Sequence, residues 1–179
     1  MRIERLTLPT DAPVPDAILA RHLRIDGADT EGTTEAAYLA LTAARLIEEN
    51  AALALLAQEI RVDLDAWPAD GVIRLPIGPL AADAATPSVT VDGAAFTGFT
   101  VYPGKRPELR LSGDLTPPEG PLTVEYSAGF GADASAVPAD LQAAVADQTA
   151  SMFDRRGAMH RRETALSPHA ARVIAAWRG

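Results

Sequence analysis

Six arginines crowd the last stretch of this sequence: Arg155, Arg156, Arg161, Arg162, Arg172 and Arg178 stand there against Asp154 and Glu163. A guanidinium presents a fork of N–H donors that fits phosphate or carboxylate, so such a group suits nucleic acid or an acidic protein surface. Stacking of unpaired bases needs aromatic rings between the cations, and no Phe, Tyr or Trp lies between Arg155 and Arg162. An acidic protein partner therefore ranks ahead of DNA, with a solvated cationic turn as the plain alternative. The other candidates for chemistry are weaker. Gly129-Phe130-Gly131-Ala132-Asp133-Ala134 has the spacing of a dinucleotide fingerprint, but Pro138 starts the next helix several residues too late and no second parallel strand follows. His22, His160 and His169 sit in three separate contexts, with only Glu163 at helical spacing from His160, so no set of three or four converging metal ligands is foreseen. Asp63 and Asp65 share one strand face and read as a solvated edge rather than a catalytic pair. Ser151 lies on an alanine-rich helix without a base at hand, and no Gly-x-Ser-x-Gly elbow exists. No catalytic residue, metal or cofactor is expected.

The chain of 179 residues suits one domain, or a core with one appendage. Alanine makes up about a fifth of it and aromatic residues 5%, so much of the apolar content is small side chains that favour helices and close packing. Without cysteine there is no disulfide or thiol chemistry, which fits a reducing cytoplasm. The start, MRIERLTLPTDAPVP, lacks the apolar core of a signal peptide, and no apolar run approaches the roughly 18 residues that span a bilayer, so no membrane is expected. The net charge of −8 divides unevenly, −12 over residues 1–150 and +4 over 151–179. An acidic body repels DNA while a basic tail seeks phosphate or carboxylate.

Local patterns place the elements. Pro15–Leu23 and about Thr33–Glu49 read as helices, the second capped by Thr33 or Thr34. From Glu59 the period changes to two, and Ile60, Val62 and Leu64, a turn at Trp67–Gly71 and the run Val72–Pro76 predict a hairpin. Short strands are predicted over 88–91, 96–102 and 109–112, and a longer one over 122–127. A helix then opens at Pro138 with Leu141, Val145, Gln148, Met152 and Phe153 on one face. A last short helix begins near Leu166-Ser167-Pro168, with Val173, Ile174 and Trp177 as its apolar edge.

Three ordered blocks carry a resemblance. They are His22–Asp26 with Ala43–Glu49; Ala57-Gln58 through Asp65-x-Trp67-Pro68 to Ile73-x-Leu75-Pro76-x-Gly78-Pro79-Leu80; and Tyr126-x-Ala-Gly-Phe-Gly131 followed by Val137-Pro-Ala-Asp-Leu141. Together they resemble the head–tail connector (adaptor) proteins of long-tailed phages and gene transfer agents, from about Leu19 to Arg178. The sequence departs from that pattern over 81–106 and at Asn50-Ala51-Ala52, where a threonine-glycine turn is usual.

The resemblance implies an α+β, mainly helical fold: a helical bundle with a small antiparallel β-sheet or hairpin element. Residues 1–156 would form the connector core and 157–179 a basic and apolar C-terminal docking segment. It also implies a non-enzymatic subunit, assembled as a homo-oligomeric ring of about twelve copies on the portal protein. The ring would extend the DNA channel, let packaged double-stranded DNA pass without specific binding, and offer its far side to a stopper, head-completion or tail-completion protein. Such a protein works in the bacterial cytoplasm during assembly and then in the particle neck. The residues expected to meet the portal are Arg155, Arg156, Arg161, Arg162, Leu166, Arg172, Val173, Ile174, Trp177 and Arg178, with the segment poorly ordered until it docks. A small nucleic-acid-binding module using the basic tail, or an enzyme with an unrecognised site, are the competing readings.

Overall fold

The computed structural model describes residues 1–26, 28–82, 85–113, 115–155 and 165–178. Their contacts divide into two units, one built from residues 1–8 and 57–130 and the other from 9–56 and 131–179.

The first unit is all β. Strands β1 (Arg2–Arg5), β2 (Gln58–Leu64), β4 (Ser88–Val91), β5 (Ala94–Ala95) and β8 (Leu122–Ala128) form an antiparallel sheet in the order β1-β2-β8-β4-β5. Strands β3 (Val72–Arg74), β6 (Phe99–Tyr102) and β7 (Glu108–Leu111) form a second, in the order β3-β7-β6. Ile3, Val62, Val124 and Val89 lie in register across the larger sheet, and Ile73, Leu109 and Val101 across the smaller one. Val62, Val124, Val89, Ile73 and Leu109 are buried, so each sheet turns one apolar face inward. Trp67 meets Phe96 edge to face at 5.4 Å, and Phe96 stacks with Phe99.

The stretch Leu75–Ala81 stitches the two sheets. Leu75 N–H donates to the Pro107 carbonyl beside β7, the Tyr126 hydroxyl on β8 donates to the Ile77 carbonyl (3.0 Å), and Leu80 bridges Ala128. Gly78, in cis linkage to Pro79, passes so close to the Lys105 carbonyl that a Cβ there would collide with it. The glycine of the second resemblance block thus has a local steric reason.

The second unit is helical: α1 (Asp16–Leu23), α2 (Thr30–Ala51), α3 (Ala139–Arg155) and α4 (Pro168–Arg178). Helix α2 packs against the other three, and α3 also against α1 and α4. Ala36, Ala40, Ala43, Ala44 and Ala51 on α2 and Ala144 on α3 are buried, which is where the alanine-rich composition is used: small side chains let helix axes approach. Leu19, Ile47, Leu141, Val145 and Ile174 fill the remaining space.

Three expectations are corrected. The fold is not mainly helical with a small hairpin, because eight strands in two sheets make up a unit of their own among the described residues. Strands of two to four residues between glycine and proline turns carry too little periodicity singly to announce a sheet. Nor do β2 and β3 form a hairpin: β2 pairs with β1 and β8, and β3 pairs with β7. The seven residues of β2 find a full-length ladder on the seven of β8, whereas β3 offers three. Helix α2 is capped by Asp29, whose carboxylate accepts from Gly32 N–H at 2.9 Å, ahead of the threonines expected to do so. Thr33 and Thr34 instead turn their hydroxyls back onto the carbonyls of Thr30 and Asp29.

Helix α2 stops at Ala52, which adopts φ 53° and ψ 49°, a left-handed cap that usually falls to glycine. The steric cost of a Cβ there outweighs the extra unfolded-state freedom of glycine. Ala52→Gly is therefore expected to stabilise the protein by about 0.5–1 kcal/mol, read as a higher urea midpoint at unchanged slope.

Candidate functional site

The C-terminal segment singled out by its arginines and apolar edge has definite surroundings in the helical unit. Ser167 is the residue before α4, and its hydroxyl accepts from Ala170 N–H at 3.1 Å while Pro168 occupies the first turn. This start is fastened to α3. The Gln148 side chain, fully buried, accepts from Ser167 N–H at 2.7 Å and donates to the Ala165 carbonyl at 3.4 Å. The far end is fastened too: the Trp177 indole N–H donates to the Asp140 carboxylate at 2.8 Å, and the Arg178 guanidinium donates to the Asn50 carbonyl. Between them Ala170 and Ile174 are buried.

The structure therefore brings Ile174, Trp177 and Arg178 onto the α2 and α3 surfaces, with Leu166 and Val173 half-buried. Arg172 is exposed on the outer side of α4, and Arg155 closes α3. Arg156, Arg161 and Arg162 lie outside the described residues. Gln148, Asp140 and Asn50 were not foreseen as partners of this segment. Gln148 in particular carried a signal, a polar residue on an otherwise apolar helix face, which asks for a buried partner.

The remaining candidates for chemistry stay apart. Gly129 takes φ 137° and donates its N–H to the Pro79 carbonyl, a short 3-10 turn covers Ala134–Ala136, and α3 begins at Ala139, so the glycines do not open onto a helix N-terminus. Asp63 accepts from the Thr123 hydroxyl at 2.8 Å on the polar face of the larger sheet, beside the Arg61–Glu125 ion pair at 2.6 Å. Glu125 holds the Arg61 guanidinium above its ordinary pKa, chiefly through that charge-assisted hydrogen bond. Asp65 lies beyond the end of β2. Among the described residues no three His, Asp or Glu side chains gather, and no helix is long and apolar enough to cross a membrane.

One groove of about 320 Å³ opens in the helical unit, between the segment around Pro9–Pro13 and the Tyr38, Leu41, Thr42 and Arg45 side of α2. The buried Glu48 at its base already accepts from Leu55 N–H at 2.7 Å. With its buried carboxylate already engaged, such a groove suits packing more than bond making.

No family model matches the sequence, and neither does any curated protein. Solved structures do. A chain of a "Virion of native gene transfer agent (GTA) particle" superposes with a TM-score of 0.79 at 26% identity, covering 99% of this chain and 95% of the other. A chain of a "Neck of empty GTA particle computed with C6 symmetry" gives 0.79 at 27% with the same coverage, and one of a "Neck of native GTA particle computed with C12 symmetry" gives 0.71 at 26%. The chain has the fold of a particle-neck protein. Both units take part in the likeness, since almost the whole of each chain is matched. The likeness supports a structural component of the neck of a gene transfer agent or phage.

Proposed function

We propose that this chain is a ring-forming structural subunit of such a neck, and within it the head–tail connector (adaptor) that seats on the portal protein. It extends the DNA channel and presents its far side to the stopper or tail-completion protein. The observation that carries the reading is the near-complete match to chains of gene transfer agent particles at 26–27% identity, two of them in necks computed with C6 and C12 symmetry. Twelve-fold and six-fold arrangements are those of a ring of equal copies. The sequence blocks that resemble connectors narrow the neck reading to the adaptor. The particle neck is then its final location, and double-stranded DNA passes through the ring without specific contact, kept from adhering by the acidic balance of the chain.

The portal-facing surface in this reading is the C-terminal segment. Arg172 points outward while α4 stays packed, so it meets an acidic portal surface without any rearrangement, whereas Val173, Ile174 and Trp177 become available only if α4 leaves α2 and α3. Arg172→Glu tests this without touching the packing. Charge reversal at an exposed rim position should weaken co-sedimentation with the cognate portal oligomer about tenfold, with the loss growing at low salt. An unchanged melting temperature is expected alongside. Undiminished portal binding would move the interface away from α4.

A further inference from the structure

Among the described residues, the groove beside α2 is lined only by the helical unit. The buried Leu55 and Leu56 and the half-buried Leu41 make it apolar, and Pro9 and Pro13 form the wall that faces α2. Tyr38 at its edge is 70% exposed, and its hydroxyl has no hydrogen-bond partner among the described residues. A rigid, amphipathic ring left open beside an apolar groove is the kind of side chain that anchors protein contacts. Of the charged groups that line the groove, Glu48 accepts from Leu55 N–H and Asp11 accepts from the Thr10 hydroxyl at 3.5 Å. Arg45 is exposed and makes no ion pair among the described residues. The groove therefore suits an extended apolar segment that ends in a carboxylate.

The chain itself carries such a segment. Leu115-Thr116-Pro117-Pro118-Glu119 runs between β7 and β8 without regular structure. Leu115 rests beside Gly98 yet is 51% exposed, and Thr116 and Glu119 are exposed as well. Two successive prolines hold the backbone extended and restrict the residue before each of them, so little freedom is lost on binding. Proline segments of this kind are recognised in grooves edged by aromatic rings. The other exposed apolar side chains of the β unit travel with cations, which Arg45 repels: those of the first eight residues stand with Arg2 and Arg5 against Glu4, and Tyr102 lies under Arg110 at 4.5 Å. Building on the ring reading above, we infer that the α2 groove of one copy receives residues 115–119 of the next. Leu115 enters the groove, the prolines pack on Tyr38, and Glu119 pairs with Arg45 and fixes the register. Groove and loop are different surfaces of one chain, so the contact is head to tail, the kind that closes a cyclic ring of equal copies.

The experiment puts a photo-reactive phenylalanine analogue in place of Tyr38 in an equal mixture of isotopically light and heavy full-length protein, irradiated with the cognate portal oligomer and, separately, alone at high concentration. Cross-links from position 38 of one copy to residues 115–119 of another are expected in both samples. In parallel, Arg45→Glu and Glu119→Arg should each lower ring occupancy on the portal about tenfold at unchanged circular-dichroism spectra, while the double variant, which restores opposite charges, should recover most of the loss. Cross-links that run elsewhere in a second copy, to the portal or only within one copy overturn the inference, as does their absence from both samples. Single variants with normal rings, or a double variant no better than either, overturn it too. If the portal recruits no protein while light–heavy links to residues 115–119 form in the concentrated sample, the groove contact stands and the portal reading falls. If rings form on the portal without such links, the ring reading stands and the groove is not its joint.

Discussion

Replacing Gln148 by alanine is expected to lower the unfolding free energy by about 1–3 kcal/mol and to loosen α4 selectively. The side chain is fully buried and joins α3 to the residue that caps α4. Its removal leaves the buried Ser167 N–H without an acceptor and the Ala165 carbonyl without its donor. Because the lost contacts concern the start of one helix, amide exchange in Pro168–Arg178 should speed up more than in α2, whose caps at Asp29 and Ala52 are untouched. Gln148→Glu should be as damaging near neutral pH, since a carboxylate accepts from Ser167 but cannot donate to Ala165 and is costly to bury. If either variant melts like the parent with α4 equally protected, the helix is held by Ala170, Ile174, Trp177 and Arg178 without need of Gln148. This bears on function: if the apolar edge must leave α2 and α3 to reach a portal, weakening the Gln148 latch should strengthen portal binding.

High pH should act on the β unit through Tyr126. Burial raises its hydroxyl to about 12, against the smaller opposing effects of its hydrogen bonding with Ile77 and the nearby Arg5 charge. The folded state thus favours the neutral phenol, whereas the unfolded chain ionises it near 10. The stabilisation is complete below pH 10 and is lost as pH rises through 10 to 12, an effect of about 2–3 kcal/mol for a shift of this size. Tyr126→Phe removes that alkaline limb but leaves the Ile77 carbonyl without its donor, so the variant should be less stable at neutral pH by about 1 kcal/mol. Urea midpoints of both proteins from pH 8 to pH 12 give the comparison. Parallel curves across that range would show that Tyr126 does not govern the alkaline transition.

Helices were legible where the chain marks its own ends. Pro15 before α1, Pro138 before α3 and Ser167-Pro168 before α4 placed those starts to within a residue or two. The start of α2 was read late because Thr33 and Thr34 look like caps, while Asp29 is the residue whose carboxylate reaches the free N–H groups. The strand β8 was legible from Leu122, Val124 and Tyr126, and its buried face agrees. Partnering was not legible. Which strand meets β2 depends on ladder length and on Leu75–Ala81 crossing between sheets, and both are long-range matters that period and turn residues do not encode. β1 escaped notice because four residues with arginine at both ends resemble a polar leader rather than a strand. At the C-terminus the apolar edge of Val173, Ile174 and Trp177 could be read, but not what it faces, because that depends on how α4 folds back on α3, which carries Asp140 and Gln148, and on the far-off α2, which carries Asn50.

The central claim, a structural subunit that forms rings in a particle neck and seats on the portal, is tested most directly by electron microscopy of the purified protein mixed with its cognate portal oligomer. The account predicts a ring of equal copies, with the symmetry of the C12 or C6 necks it resembles, stacked coaxially on the portal. In that ring α4 would be on the side toward the portal. Portal particles without an added ring at saturating protein, or single copies bound at a site off the axis, would contradict it.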